Sequence, residues 1–225
     1  MLKMSINSIY ETAYKGDFNQ VKVKVDEDTT LVHTADENGR LLLHWAALGG
    51  NVNLVDFLLD KGSPIDSVDD TNSSSLILAA SAGRIEVVRL LIGKGANVNH
   101  KNDRGQSSLH YVCSKGYAEI GRILIDAGAN VNITDNLNAT PLHRASSQGR
   151  TNIVELLLAD SGLNVHIPDS TGSTALHLAC EEDREAVACT LVKAGSKLDT
   201  KNKKGQTPLD LCTPKLKKTV MHIFQ

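Results

Sequence analysis

Four histidines stand at multiples of about 33 residues along the chain, and imidazole is the side chain best suited to bind a metal or take a proton at neutral pH. His44, His110, His143 and His177 each occupy the fourth position of a short segment: LLLH (41–44), SSLH (107–110), TPLH (140–143) and TALH (174–177). Ile77 and Asp210 hold the same position in SSLI and TPLD, so the steps are 33, 33, 33, 34 and 33 residues. A lone histidine in an apolar run has three readings: zinc ligand, general base, or buried residue satisfied by a local hydrogen bond. Equivalent positions in stacked helix pairs lie on the order of 8 to 10 Å apart, whereas ligands bound at roughly 2 Å to one zinc sit within about 3 to 4 Å of each other. Successive histidines therefore cannot share a metal. Ile77 and Asp210 in the slot exclude a general base required in every unit, and the neighbouring Ser or Thr offers the ring a polar partner. A structural role is expected.

Other chemistry-bearing groups are sparse. Cys113, Cys180, Cys189 and Cys212 form no C-x-x-C pair, and Cys113 and Cys180 fall where other units place Ala47, Ala80 or Ser146. They are expected to be buried, reduced and to pack as small hydrophobes. No phosphate-binding G-x-x-x-x-G-K-[ST] loop, G-x-S-x-G elbow, H-E-x-x-H helix or G-x-G-x-x-G turn occurs. The pairs Asp69/Asp70 and Glu181/Glu182 fall on a loop and at a helix end, with nothing positioning an acid against a base. The chain is expected not to be an enzyme and to use no cofactor or metal.

The elements that carry these residues follow from the same period. A repeat of about 33 residues with T-P-L-H-x-A is the signature of the ankyrin repeat, a β-turn followed by two antiparallel helices. Thr or Ser starts the first helix as N-cap, Pro is tolerated at its first position, and Gly50, Gly83, Gly116 and Gly149 stop it. Apolar faces in IEVVRLLIGKG (85–95), AEIGRILIDAG (118–128) and TNIVELLLADSG (151–162) make the second helix. Polar runs such as HKNDRG form protruding fingers. The expected fold is all-α, an ankyrin-repeat solenoid of about seven stacked units with β-turn fingers, as one domain over 1–225. The units run approximately 2–35, 36–68, 69–101, 102–134, 135–168, 169–201 and 202–225. The first is a cap with helices to about Tyr14 and from Asp17 to about Val25; the last is a truncated cap in which Pro214 ends the first helix before a Lys-rich remainder.

Lys and Arg number 24 against 26 Asp and Glu, a net charge of −2. Nothing overall drives such a chain to nucleic acid or an anionic membrane. No run approaches a membrane span and the amino-terminal segment MLKMSINSIYETAYKG has no apolar core of a leader. A soluble monomer, cytoplasmic and nuclear, is expected. Stacked repeats expose an extended concave surface suited to protein recognition.

Contact residues are sought in slots that vary between units. Before the first helix these hold Arg40, Ser73, Gln106, Ala139 and Ser173. Along its outer side they hold Trp45, Leu78, Tyr111, Arg144 and Leu178, and near its end Lys115, Gln148 and Glu182. Asp69, Asp70, Asp103 and Arg104 are assigned to finger tips, and Glu181 joins the acidic pair. Trp, Tyr and Arg are enriched at binding hot spots, which singles out Trp45, the one tryptophan.

The runs LHWA, DD (69–70), LLIGKGANVN, SSLHYVCSKG, LHRA and TALHLACEEDR resemble the gankyrin family of proteasome-associated ankyrin-repeat proteins, over nearly the whole chain. That resemblance implies an assembly chaperone of the proteasome regulatory particle, docking the C-terminal domain of one ATPase subunit on the concave face. It implies that Arg40 and Lys115 meet acidic residues of the ATPase, that Asp70 and Glu182 meet arginines, and that Trp45 is an aromatic contact. LACEE (178–182) also matches the L-x-C-x-E motif linked to retinoblastoma-protein binding, although here it falls within a first helix. Departures from the family pattern are Asn38 for an acid, Ser73 for Trp, Ile77 for the repeat His, Leu41-Leu42 for a Thr-led helix start, and one residue inserted near 159–163. A missing cap at Leu41 costs about 1 kcal/mol. The alternatives are a regulator binding a cyclin-dependent kinase or a retinoblastoma-like protein, or a generic ankyrin adaptor.

Overall fold

The computed structural model describes residues 6–224. Residues 2–5 of the first expected unit and Gln225 of the last lie outside the described residues. Fourteen α-helices form seven pairs among the described residues. The chain forms two compact units, Met1–Asp103 and Arg104–Gln225, within the span drawn as a single repeat domain over 1–225.

The first unit holds the pairs α1 (Ile6–Lys15) and α2 (Phe18–Glu27), α3 (Leu42–Gly49) and α4 (Val52–Asp60), and α5 (Ser75–Ser81) and α6 (Ile85–Gly93). A 3₁₀ turn over Thr29–Val32 follows α2. Helix α3 packs against both α1 and α5, and α4 against α6. Leu42, Leu43, Leu54, Val55, Leu58, Leu76, Val88 and Leu91 are buried there, as are Ala46, Ala47, Ala79 and Ala80, whose small side chains let neighbouring helices approach. The second unit holds α7 (Ser108–Lys115) and α8 (Ala118–Asp126), α9 (Pro141–Ser147) and α10 (Thr151–Leu158), α11 (Ala175–Glu181) and α12 (Glu185–Lys193), and α13 (Pro208–Leu211) and α14 (Pro214–Phe224). Its core includes Leu109, Ile120, Leu124, Leu142, Ile153, Leu157, Leu176, Leu191, Leu216 and Val220.

Local chemistry sets the helix ends. The hydroxyls of Ser74, Thr140 and Thr207 accept from the backbone N–H three residues on, satisfying a donor that the first turn leaves over. Leu41 is an extended N-cap with no side-chain acceptor, and its buried side chain joins the core. Gly50 and Gly116 close α3 and α7 in the left-handed region, at φ 88° and 84°. Asp183, at φ 51°, does this for α11 in place of the expected glycine.

The last pair differs from the sequence expectation. Truncation of the last pair falls on its first helix, α13, of 4 residues, while the Lys-rich remainder is an 11-residue helix, α14, seeded by Pro214 at its first turn and packed on α12. The inserted residue is absorbed after α10, where Asp160 accepts the Gly162 N–H at 2.8 Å and Asn132 brackets the segment by bonding Gly162 O and the Asn164 N–H.

Candidate protein-interaction site

The repeat histidines are the first residues to place. In each His-bearing helix the N-cap backbone N–H donates to Nδ1: Leu41 to His44 at 2.9 Å, Ser107 to His110 at 3.1 Å, Thr140 to His143 at 3.1 Å and Thr174 to His177 at 3.0 Å. Nδ1 is therefore the unprotonated nitrogen, and Nε2–H donates. Its acceptors are Ser67 O at 2.9 Å for His44, Ala139 O at 3.0 Å for His110, Ser173 O at 3.0 Å for His143 and Gln206 O at 3.2 Å for His177. Each ring thus ties the start of one helix to a loop further along the same unit. With both nitrogens committed, no lone pair remains for a metal. Burial lowers the pKa of His44, His143 and His177, which keeps the rings neutral. Asp210 offers one carboxylate to the Thr207 N–H at 2.9 Å and so imitates only the Nδ1 half of the device. Ile77 supplies neither half.

A second periodic slot, which the spacing of the histidines overshadows, organises the fingers. Asp36, Asp69, Asp135 and Asp169 each turn Oδ1 onto their own loop. Asp36 accepts the N–H groups of Asn38 and Arg40, Asp69 those of Thr71 and Ser73, Asp135 those of Leu137 and Ala139, and Asp169 those of Thr171 and Ser173. Asn202 does the same with Lys204 and Gln206. A short carboxylate or amide that reaches its own backbone two and four residues on is an Asx-type turn. Neighbouring fingers are joined by single backbone bonds, Asp70 N–H to Asn38 O at 3.0 Å and Asp103 N–H to Thr71 O at 3.0 Å in the first unit. In the second, Asn136, Ser170 and Lys203 donate to Arg104, Leu137 and Thr171. At Gly39 a Cβ would meet Asp70 N at 2.9 Å, so only glycine lets the next finger close in.

The other oxygen, Oδ2, is where the varied residues enter. In the first unit, Asp36 Oδ2 accepts the Trp45 indole N–H at 2.9 Å, and Asp69 Oδ2 accepts Arg40 Nε at 2.9 Å. The Arg40 guanidinium carbon lies 5.0 Å from the Trp45 ring centre, so cation, indole and two carboxylates form one cluster. Burial pushes the Asp36 and Asp69 carboxyls up, but their hydrogen bonds from N–H and hydroxyl donors outweigh it and hold both below the ordinary value. In the second unit, Asp135 Oδ2 pairs with Arg144 Nη2. Burial is again outweighed, here by Arg144 and the Leu137 and Ala139 N–H groups, so Asp135 stays ionised.

The sequence-derived contact residues fall into two kinds. Asp69 sits at the base of its finger with a carboxylate only 1% exposed, which corrects its placement at a tip. Arg40, Trp45 and Arg144 are half-buried and internally bonded. Asp70, Lys115, Glu181 and Glu182 are exposed, Tyr111 is half-buried, and Glu182 has one long contact to Arg184 at 3.8 Å. Cys180 is fully buried and burial raises its thiol pKa; Ala179 beside it is buried too, so LACEE is part of a packed helix.

A family profile described as "Ankyrin repeats (3 copies)" matches residues 9–102 and 76–169, and one described as "Ankyrin repeat" matches 171–203. The chain belongs to the ankyrin-repeat family. Among solved structures, the human ASB11 ankyrin repeat domain superposes with a TM-score of 0.85 at 25% identity, covering 96% of each chain. The ankyrin repeat domain of Bcl-3 gives 0.83 at 22% identity, over 95% of this chain and 97% of that one. These likenesses agree with the all-helical repeat fold. The mouse 26S proteasome non-ATPase regulatory subunit 10 is 40% identical over 66 residues, 29% of this chain and 29% of that protein. The match therefore spans under a third of that relative. Ankyrin repeats serve protein–protein interaction, and Asp70, Lys115, Glu181 and Glu182 are the sequence-derived contact residues that stand exposed to solvent. No helix of the described residues is long and apolar enough to cross a membrane.

Proposed function

We propose that this ankyrin-repeat protein is an assembly chaperone of the proteasome regulatory particle that docks the C-terminal domain of an ATPase subunit. It acts as a monomer in the cytoplasm and nucleus. The observation that carries this reading is the 40% identity, over 66 residues, to the mouse 26S proteasome non-ATPase regulatory subunit 10. Its contacts are divided by chemistry. Exposed Lys115 meets an acidic residue of the ATPase, and exposed Asp70, Glu181 and Glu182 meet basic ones. Trp45, Tyr111 and Arg144 supply amphipathic area, and Arg40 and Asp69 hold Trp45 and its finger in place. Charge pairs of this kind set register and on-rate more than affinity.

Arg40 is a poor site for a charge-reversal test, because a glutamate there would face the buried Asp69 carboxylate and disturb the finger. Lys115→Glu combined with Glu182→Arg touches exposed side chains alone. The test measures binding of purified proteasomal ATPase C-terminal domains to the wild-type chain and to this variant. Binding of one ATPase domain by wild type, weakened about tenfold or more by the double reversal, supports the proposal. Failure of every ATPase domain to bind, or capture of a cyclin-dependent kinase instead, overturns it. The L-x-C-x-E route is disfavoured because presenting residues 178–182 as an extended peptide requires α11 to unfold and expose Cys180.

A further inference from the structure

Beside the Arg40–Trp45 cluster the first unit has a groove of about 300 Å³ between α1 and the first finger. Its walls are Tyr10, Tyr14 and Trp45, and its rim carries Glu11, Asp36 and Glu37, with no basic side chain among the lining residues. Tyr14 and Trp45 meet at 88° with ring centres 6.2 Å apart, forming an aromatic corner, and Tyr14 is 43% exposed. Tyr10 is fixed by its hydroxyl, which donates to Thr34 O at 3.0 Å. The charges on the rim differ in availability. Glu11 is paired with Lys15 at 2.6 Å. Asp36 Oδ2 accepts the indole N–H, and a carboxylate oxygen has room for a second donor. Glu37 is exposed and forms no ion pair among the described residues. Arg40, which does not line the groove, has its charge met by Asp69.

We infer that this groove receives an arginine side chain from a protein partner, with the guanidinium lying against the Tyr14–Trp45 corner and bridging Asp36 and Glu37. Charge complementarity selects a cation, and the aromatic walls select one whose charge is spread over a plane. A guanidinium stacks on a ring face and donates to two carboxylates at once, whereas an ammonium is compact and holds its water more strongly. The inference rests on the first unit binding protein, not on the partner being an ATPase.

Trp45 is the chain's one tryptophan, so its fluorescence reports on the groove directly. The full chain is titrated with acetyl-Gly-Arg-Gly-Arg-Gly-amide and with the same peptide carrying citrulline for arginine. Citrulline keeps the shape and removes the charge. The expected result is a saturable emission change with arginine alone, weakened roughly threefold to tenfold in Glu37→Gln and in Tyr14→Leu. Glu119→Gln, an exposed acid of the second unit, serves as the control and keeps the wild-type response. Equal responses to the two peptides, or a response indifferent to Glu37→Gln, overturns the inference. Arginine-peptide binding without capture of any ATPase domain keeps the groove and removes the proposed partner. ATPase capture with no peptide response removes the groove alone.

Discussion

The imidazoles of α3 and α9 occupy one slot in two repeats, and they fasten different things. In the second unit His143 Nδ1 receives both the N–H and the hydroxyl of Thr140, and Nε2–H reaches Ser173 O, 30 residues on and directly before the next N-cap. In the first unit Leu41 has no hydroxyl to offer, and His44 reaches Ser67 O, 23 residues on, near the base of the finger. The slot thus demands one donor facing Nδ1 and one carbonyl facing Nε2, and it tolerates a change in which carbonyl that is. The finger acid shows the same division. Oδ1 is spent on its own loop everywhere, whereas Oδ2 holds an indole at Asp36 and a guanidinium at Asp69 and Asp135. Constant geometry and variable contents are carried by different atoms of one side chain.

The largest test of this comparison is pH. Burial places the His44, His143 and His177 pKa values below the ordinary histidine value of about 6.5. As pH falls through that value the unfolded chain takes up protons that the folded chain refuses. Stability is therefore full above about pH 7 and declines as pH drops below about 6.5, by up to about 1.4 kcal/mol per pH unit for each histidine. Asp36, Asp69 and Asp135, whose carboxyls are held low, add a further loss only below about pH 4. Urea unfolding across about pH 2 to 8 reads both phases, and a flat profile between about pH 7 and 5 would show that the rings are not neutral clips.

Next in size, His143→Ala strands the Thr140 N–H and the Ser173 carbonyl and is expected to cost about 3 kcal/mol. His44→Ala loses one hydrogen bond fewer and is expected to cost about 1 kcal/mol less. Equal costs in chemical denaturation would erase the difference drawn between the two rings. Asp69→Asn keeps the turn-forming oxygen and weakens the tie to Arg40, for about 1 to 2 kcal/mol. It should also shift the Trp45 emission, since Arg40 then loses its anchor over the indole. Thr140→Ala makes the second unit resemble the first at this position and is expected to cost about 1 kcal/mol. Lys115→Glu, on an exposed side chain, stays within about 0.5 kcal/mol, so any loss of binding in that variant is a loss of contact and not of fold.

Much of this was legible in the residues. The period, the N-caps, the glycine stops and the structural nature of the histidines follow from short-range chemistry, which a sequence displays directly. Ser74, Thr140 and Thr207 cap as their types require, and Gly50 and Gly116 turn as theirs allow. The acceptors of the imidazoles were not legible, because a carbonyl is available at every residue and only packing chooses one. The finger acids were open to discovery, since Asp36, Asp69, Asp135 and Asp169 share the histidine period. Asp69 is assigned from the sequence to a finger tip, and its buried state depends on Arg40 arriving from the preceding repeat. Asp183 in the left-handed region and α14 continuing beyond Pro214 show the same limit: a residue type permits a conformation, and its neighbours decide whether it is used.

The residue absorbed after α10 has a practical meaning. The clip from His143 to Ser173 closes at 3.0 Å over 30 residues, the same length that His110 achieves to Ala139 over 29. A change of chain length between two fastened points is therefore invisible to the fasteners. The stretch 159–163 is thus a seam at which the chain takes up one extra residue while the clip on either side of it keeps its length.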